Sequence, residues 1–380
     1  MQKNKSNTTL LIDIGTASVG GALFSISAGH APRLCKVLRV PIGNGTETSR
    51  DTLLEYTEAA MKKLMEAYAR EMVHRVHIVV SSPWHETHIR TITSSTERPA
   101  PVSEKNILRA VSRYQNEKPP LEGNNDIEAV AMRIQVNGYG TALKEHVAGT
   151  HLDINFYESE MNDAIQKRFS APIESAFPHS SIAFNTFPLV SMIALRTILP
   201  ENNFVVLDIA GEMTELSIVH EDGIRHLASF PIGFFTLARA IASRKDAVGD
   251  ALSRLALLAR GELSEEENAR VTAAFEKAFL PWREAFENAL RSASEHSPIP
   301  QTLYVLSDKE HAVWLKKGIE QKNTFNMSIT VIDTPLVQPF VELGDKGSYD
   351  IFLSLFALFF HTKKTELIGE AQEQTVIYSR

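Results

Sequence analysis

The sequence has 380 residues, 43% of them hydrophobic and 22% charged, which is typical of a folded protein with room for two or more domains. Its net charge is −7 and it has no run of Lys and Arg, so we do not expect nucleic acid as a partner. The single cysteine, Cys35, cannot form an internal disulfide.

Residues 1–9 lack the long apolar core of a signal peptide, so we expect a cytoplasmic protein.

The residues that follow predict a complete α/β unit. An apolar run at 10–12 leads into Asp13 and a glycine-containing hairpin, the pattern of a buried strand that ends on an acid. The resulting β-β-β-α-β order is that of a ribonuclease H-like unit. Its predicted elements are strands at 10–12, 17–24, 34–40 and 76–81 and a helix at 51–72.

Residues 82–172 interrupt this order and predict an inserted α+β subdomain of about ninety residues, a size that can hold its own small core. Asn137 and Gly138 form a hairpin turn signal, and Ser103 is a candidate helix N-cap. The predicted elements are strands at 88–93, 127–136 and 151–157 and helices at 103–114 and 158–169. The first unit then resumes with a strand from Ile182 and a helix at 189–199.

The pattern of a buried strand followed by an acid occurs a second time, at Asp208. Residues 204–207 predict the strand, and Ala210 and Gly211 predict the turn. Two further strands follow, at 215–219 and 224–228. Because Asp13 and Asp208 lie about half the chain apart, the repeat indicates an internal duplication and not a solenoid. We therefore expect two similar halves whose first hairpins face each other.

The last part of the chain predicts a helical insertion and the rest of the second half. Ser264 and Glu267 form a capping box at the start of a long helix. Residues 351–360 are apolar all round but span only about half of the ~20 residues that a membrane-spanning helix needs. With no charged face, this segment fits a buried helix better than a membrane-surface helix. The predicted elements are helices at 235–258, 264–294, 314–321 and 349–360 and strands at 302–306 and 328–332.

These elements predict five parts of the chain. They are a first ribonuclease H-like half at 8–81 and 173–200, the inserted subdomain at 82–172, a second half at 201–243 and 301–361, a helical insertion at 244–300, and a polar tail at 362–380. Sites of other kinds are disfavoured. The histidines at 74, 77, 85 and 88 do not have the spacing of a helical zinc motif, and no Walker loop or dinucleotide fingerprint is present.

The paired stretches LLIDIGTASVGGAL and VVLDIAGEMTELSIV resemble the hairpins of the superfamily that contains actin, sugar kinases and heat-shock chaperone ATPases. Within it, the chain is most similar to the FtsA and PilM families of actin-like proteins, which serve cell division and type IV pilus assembly. The position of the inserted subdomain and the phrase GIRHLASFPIGFFTLARAIA carry this closer similarity. The resemblance implies an α/β, duplicated ribonuclease H-like (actin-like ATPase) fold with an inserted α+β subdomain and a helical insertion.

The resemblance also implies a site for ATP and Mg²⁺ between the halves. Backbone N–H groups of small-residue turns cradle phosphate oxygens, and carboxylates hold hydrated Mg²⁺. The implied residues are Asp13, Gly15, Thr16 and Ala17 in the first loop and Asp208, Ala210, Gly211 and Thr214 in the second, with Asp13 and Asp208 holding the metal through water. A simpler interpretation stays open: the acids can accept backbone hydrogen bonds in turns, and the glycines can serve turn geometry alone.

The second loop departs from the superfamily pattern. Ala210, Glu212 and Met213 stand where glycines are usual, and a glutamate beside phosphates is repulsive unless it points away. The segment 307–309 replaces the paired glycines of the adenine-side loop. Residues 185–188 offer only weak groups for orienting an attacking water. We therefore predict a weak ATPase at most.

The expected function is that of an actin-like scaffold in a membrane-associated assembly, PilM-like, with ATP as a structural ligand. Its expected partners are the cytoplasmic tails of inner-membrane proteins, which would hold it at the inner face of the membrane, and self-association is also open. The inserted subdomain is the expected partner surface. The alternatives are an FtsA-like cell-division protein that polymerises with ATP and a sugar or acetate kinase of the same superfamily.

Overall fold

A computed structural model describes residues 9–27, 29–43, 45–46, 49–117, 123–140, 147–242, 247–346, 348–368 and 376–378. The predicted N-terminal segment therefore lies outside the described residues up to position 8, and the predicted tail does so at 369–375 and 379–380. The domain boundaries stay predictions, whereas the individual helices and strands can be compared with the structure.

The strands and helices alternate along most of the chain. Up to α4 the elements are β1 (Thr9–Ile14), β2 (Ser18–Ser25), β3 (Arg33–Pro41), α1 (Arg50–Tyr68), β4 (Arg75–Val80), β5 (Glu86–Pro101), α2 (Glu104–Glu117), β6 (Asn124–Val136), β7 (Tyr139–Gly140), β8 (Ala148–Asn162), α3 (Asp163–Ala176), β9 (Ser181–Thr186) and α4 (Phe187–Ile198). They continue with β10 (Phe204–Ile209), β11 (Thr214–His220), β12 (Gly223–Phe230), α5 (Phe234–Ile241), α6 (Val248–Arg260), α7 (Glu265–Ser294), β13 (Thr302–Leu306), α8 (Lys309–Glu320), β14 (Ser328–Val331), α9 (Thr334–Val337), a 3₁₀ turn (Gln338–Phe340), β15 (Glu342–Lys346), α10 (Ile351–Ile368) and β16 (Val376–Tyr378).

Two of the sheets have equivalent strand orders. The first runs β15-β3-β2-β1-β4-β9 and the second runs β12-β11-β10-β13-β14. In each, the first three strands along the chain are antiparallel neighbours, and the later strands run parallel to the central one. The central strands β1 and β10 are buried along nearly their whole length, which agrees with their unbroken apolar sequences. The predicted duplication of a ribonuclease H-like unit is confirmed.

The third sheet has the order β16-β6-β8-β5, with β7 paired to β6. The predicted turn at Asn137 and Gly138 joins β6 to β7, and both residues have the positive φ that such hairpins require. The helix predicted at 158–169 was wrong at its start. Residues 158–162 continue β8, and α3 begins after Asn162, whose side chain accepts hydrogen bonds from the N–H groups of Ala164 and Ile165.

The helices of the second half cover one face of its sheet. The single helix predicted at 235–258 is two helices in the structure, α5 and α6. The long helix α7 is confirmed, and Ser264 is its N-cap: its hydroxyl accepts a hydrogen bond from the Glu267 N–H and donates one to the Glu267 carboxylate at 3.2 Å. The aromatic side chains Phe279 and Trp282 of α7 are fully buried against this sheet.

Helix α10 lies in the core between the two halves. It packs against α4, where the rings of Phe187 and Phe356 are 6.1 Å apart. Burying one phenylalanine side chain contributes about 1.5–3 kcal/mol, and α10 places four phenylalanines in or against this core. The prediction of a buried helix is therefore confirmed, although α10 continues eight residues beyond the predicted end at Phe360. Among the described residues, no helix has both the length and the apolar character needed to cross a bilayer.

Candidate functional site

Two acids lie at the carboxyl ends of the central strands of the two halves. Asp13 is the next-to-last residue of β1, and Asp208 is the next-to-last residue of β10. The two residues are only 4% and 3% exposed. Because the halves share one topology, the hairpins that follow these strands meet at a common cleft, which both acids line. The duplication therefore brings together the two acids that the sequence singled out.

Most of the eight predicted site residues line this cleft. Those that do are Asp13, Gly15, Thr16, Ala17, Asp208 and Ala210. Gly211 instead makes room for a ring, since a Cβ at this position would lie 2.7 Å from Cδ2 of Phe235. The Thr214 hydroxyl donates to the carbonyl of Ile232 at 2.7 Å and accepts from Nε1 of Trp282 at 2.9 Å. Gly211 and Thr214 thus serve the packing of the second half and do not line the cleft.

The two loops predicted to hold phosphates contact each other. The Thr16 hydroxyl oxygen accepts a hydrogen bond from the backbone N–H of Glu212 at 2.9 Å. The N–H groups of Gly15 and Ala210 close their own turns, at 3.3 and 3.0 Å. Three backbone N–H groups of these loops are therefore already paired with protein oxygens and are not directed at a phosphate.

Arg39, a residue that sequence reasoning missed, reaches into this cleft from β3. Its Nη2 lies 2.7 Å from Oδ2 of Asp13. Its Nε and Nη2 donate to the two carboxylate oxygens of Asp350 at 2.7 and 2.9 Å, and its Nη1 donates to the Ser18 hydroxyl at 2.8 Å. The guanidinium also lies over the ring of Phe352, 5.5 Å from its centre. All three nitrogens are thus used by cleft residues.

The charges of this group are set by burial and by mutual attraction. Burial lowers the pKa of Arg39, but Asp350 and Asp13 outweigh this and hold it well above its ordinary value. Burial also raises the pKa of Asp350, yet the charge and hydrogen bonds of Arg39 hold it below the usual range. Burial raises the pKa of Asp13 to about 6 against the attraction of Arg39. Near neutral pH, the cleft therefore contains an ionised Arg39 bound to two carboxylates.

The acid of the second half lacks such a partner. Burial, together with the nearby charges of Glu215, Asp13 and Asp308, raises the pKa of Asp208 well above its ordinary value. Its Oδ1 has no hydrogen-bond partner within the described part of the chain. Burial and the neighbouring acids thus favour the protonated form of Asp208, which is a poorer ligand for Mg²⁺ than a carboxylate.

A second buried contact joins the start of the inserted subdomain to Glu215 of the second half. The Ser82 hydroxyl donates to Oε1 of Glu215 at 2.9 Å, and Nε2 of His85 lies 3.4 Å from the same oxygen. Burial raises the pKa of Glu215 to about 7 and lowers the pKa of His85 to about 4. Burial thus favours the neutral form of both groups, which limits the cost of burying them.

Glu212, the acid expected to repel phosphates, is paired with an arginine. Nη1 and Nη2 of Arg239 donate to its two carboxylate oxygens at 2.7 and 2.6 Å. Nη1 also donates to the carbonyl of Gly45 in the first half at 2.9 Å. Arg239 therefore both neutralises the second loop and ties it to the other half.

The inserted subdomain contacts the first half through Glu128 of β6. Its carboxylate accepts hydrogen bonds from Nδ2 of Asn185 at 2.6 Å and from the N–H and hydroxyl of Thr186 at 2.9 and 2.5 Å. These two residues belong to the segment that the sequence offered for orienting a water. Their polar groups are instead committed to a buried structural contact, and Glu128 carried no sequence signal for this role because its partners are 57 and 58 positions away.

The residues present do not fit ATP and Mg²⁺ in this arrangement. The cleft has a volume of about 30 Å³, room for only a few water molecules. Sites for drug-sized ligands usually occupy about 300–1,000 Å³. Asp13 is bound to Arg39, burial favours the protonated form of Asp208, and the phosphate loops touch, so neither the nucleotide nor a hydrated metal has a place. In the described residues, the one group of acids or histidines with metal-like spacing is Asp126, Glu158 and Glu160, away from this cleft.

Comparison with solved structures identifies similar folds. A protein chain in the PilM–PilN type IV pilus biogenesis complex aligns with a TM-score of 0.62 at 16% identity, covering 93% of this chain and 98% of that one. EutJ, an ethanolamine utilization protein from Carboxydothermus hydrogenoformans, aligns with a TM-score of 0.46 at 14% identity, covering 93% and 90%. A Bacteroides thetaiotaomicron protein with an actin-like ATPase fold and unknown function has a TM-score of 0.40 at 11% identity, covering 95% and 98%.

No family model and no curated protein matches the sequence. The fold assignment rests on the first of these alignments together with the duplicated strand order. The chain has an actin-like ATPase fold, as the paired hairpins predicted, with a likeness to the PilM type.

Proposed function

We propose that this actin-fold protein is a scaffold that binds segments of partner proteins in a membrane-associated assembly of the type IV pilus kind. The observation that carries the proposal is the alignment along nearly the full length of both chains with a member of the PilM–PilN complex. The expected partners are cytoplasmic tails of inner-membrane proteins, which would place the scaffold at the inner face of the membrane.

The closed cleft supports a scaffold over the two alternatives. An FtsA-like protein that polymerises with ATP and a sugar or acetate kinase both need a nucleotide between the halves. A cleft of about 30 Å³ whose acid Asp13 is bound by Arg39 does not fit that ligand. The proposed scaffold therefore works through its surfaces, and no step of its function passes through ATP.

The edge strand β5 of the inserted subdomain is the proposed partner surface. β5 has 16 residues, most of them exposed, and within the described chain it pairs with β8 alone. The backbone groups along such an edge are a template for an added strand, and extended peptides bind sheets in this way. At the opposite edge of the same sheet, residues 376–378 already pair with β6 as a short added strand.

The proposal is tested with overlapping peptides that cover the cytoplasmic segments of inner-membrane proteins encoded beside this gene. We expect one peptide to bind in calorimetry, with the same Kd in ATP with Mg²⁺ and in EDTA. Hydrogen exchange should show new protection over 86–101. Binding by none of the peptides would contradict the scaffold role. Protection at the groove of about 630 Å³ lined by Arg33, Pro335 and Leu343 would keep the scaffold and move its partner surface.

A pair of neighbouring variants sharpens the test of β5. Successive residues of a strand direct their N–H groups to opposite sides, so Thr93→Pro and Ser94→Pro remove one outward and one inward donor. We expect one variant to weaken peptide binding with little change in Tm, and the other to lower Tm. Equal peptide affinity for both variants and the wild type would exclude strand addition at this edge.

A further inference from the structure

We infer that Arg39 stands in for a bound cation in this cleft, and that the two halves are joined permanently by the protein's own groups, without any nucleotide. Actin-like folds are expected to place ATP and metal between their halves, and this chain places a guanidinium against the acids there. The inference goes beyond the scaffold role and does not depend on which partner the scaffold binds.

The strand register shows how Arg39 reaches the acid. In β1 and β2, Asp13 lies opposite Gly20, and in β2 and β3, Gly20 lies opposite Arg39. The three residues therefore form one row across three neighbouring strands. A Cβ on Gly20 would lie 2.7 Å from Nη2 of Arg39, so the missing side chain in the middle of the row is what lets the arginine cross β2. We call this row the Arg39 row.

Asp350 completes the site from the other side. It lies just before α10 and receives two parallel hydrogen bonds from the guanidinium, the geometry that arginine and carboxylate pairs favour. Its Oδ1 also accepts from the Leu353 N–H at 3.0 Å, which fixes it at the start of the helix. A permanently charged group thus pairs with two carboxylates in defined directions, and a hydrated Mg²⁺ would have to displace it.

The remaining contacts across the cleft also need no ligand. The Glu212 N–H donates to Thr16, Arg239 donates to the Gly45 carbonyl, and Ser82 donates to Glu215. The first two bonds join the first half to the second, and the third joins the start of the inserted subdomain to the second half. The cleft that these contacts border has a volume of about 30 Å³.

Nucleotide binding to the wild-type protein is the first test. We expect no heat on titration with millimolar ATP and Mg²⁺, and no shift of Tm with ATP and Mg²⁺ or with EDTA, because a ligand that binds only the folded state would raise Tm. Binding heat that depends on Mg²⁺, with a matching rise in Tm, would overturn the inference. Peptide binding is measured separately, so failure here leaves the scaffold role untouched.

A double-mutant cycle between Arg39 and Asp350 is the second test. Arg39→Met keeps an unbranched side chain and removes the charge, and we expect it to lower Tm by roughly 5 °C or more. In an Asp350→Asn background the same change should cost clearly less, because the acid is already neutral. Arg39→Lys, which keeps the charge without the paired geometry, should recover part of the loss. Equal costs of Arg39→Met in both backgrounds would overturn the built-in cation; if a variant fails to fold, the wild-type titration still decides.

Discussion

The two halves solve the same electrostatic problem in different ways. In the first half the Arg39 row runs Asp13, Gly20, Arg39, and the acid is neutralised by a neighbouring positive charge. In the second half the equivalent row runs Asp208, Glu215, Ser229. With no arginine in this row, burial and the charge of Glu215 raise the pKa of Asp208 well above its ordinary value.

This difference shows that a duplicated fold preserves backbone positions more strictly than chemistry. Both acids end a buried central strand, and both face one cleft. Asp13 is held by an ion pair with Arg39, although burial raises its pKa to about 6, and Asp208 has no positive partner in its row. Both acids should therefore respond to pH, but only Asp13 should respond strongly to the loss of a charged partner.

Removing the Asp350 carboxylate from its ion pair with Arg39 should have the largest effect. Asp350→Asn keeps an oxygen that can accept from the Leu353 N–H but leaves Arg39 with one carboxylate. We expect a loss of about 3–5 kcal/mol in the free energy of unfolding, measured by urea denaturation. Ser229→Ala in the second-half row is the matched control, with an expected change within about 0.5 kcal/mol. Equal effects of the two changes would remove the contrast between the rows.

The contact of the inserted subdomain should be next in size. Glu128→Ala leaves the polar groups of Asn185 and Thr186 buried without their acceptor. We expect a loss of about 2–3 kcal/mol in urea denaturation, because each buried unpaired polar group costs about 1–3 kcal/mol. Glu97→Ala, on the exposed part of β5, should change stability by about 0.5 kcal/mol or less. A small effect of Glu128→Ala would show that the subdomain is held by other contacts.

The pH response should separate Glu215 from His85. Burial raises the pKa of Glu215 from 4.5 to about 7, so its stabilising contribution is complete below 4.5 and is lost as pH rises to about 7. Burial lowers the pKa of His85 from 6.5 to about 4, so its contribution is complete above 6.5 and is lost as pH falls to about 4. Between these limits, the two residues change the free energy of unfolding with pH in opposite directions.

A single substitution at each residue should reveal how that residue makes stability depend on pH. Relative to wild type, Glu215→Gln should gain stability as pH is raised from about 5 to about 7.5, by about 1–2 kcal/mol in urea denaturation. His85→Asn should gain relative stability as pH is lowered over the same range. Parallel pH curves for the wild type and both variants would contradict the assigned directions of these shifts.

The smallest effect should come from the acid of the second half. Burial favours the protonated form of Asp208 and its Oδ1 makes no hydrogen bond to a described residue, so Asp208→Asn should change the free energy of unfolding by about 1 kcal/mol or less. Asp13→Asn, which removes a charge bound to Arg39, should cost more in the same measurement. A larger cost at Asp208 would reverse the comparison between the halves.

The sequence predicted the fold well because the fold signal is local. Each half is indicated by an apolar run, an acid and a glycine-containing turn within about fifteen residues. This is the strand and hairpin pattern that sequence reasoning detects. The helix predicted at 158–169 was wrong at its start because Glu158 and Glu160 are buried polar residues of β8. Such residues break the apolar alternation by which a strand is recognised.

The chemistry of the cleft could not be predicted in the same way. Arg39 and Asp350 are 311 positions apart, and nothing near either residue points to the other. The one local sign is Gly20, whose missing side chain makes room for Arg39. Glu212 gave a partial signal: its charge beside a phosphate loop was recognised as a conflict, but its neutralisation by Arg239 needed the packing of α5.

The position of β15 and α10 has a consequence for how the protein is made. β15 adds the last strand to the first sheet beside β3, and α10 fills the core against α4. The N-terminal half emerges from the ribosome long before these C-terminal residues do. The half that is synthesised first is therefore completed last, and chains that stop before about residue 340 should leave its core open to chaperones and proteases.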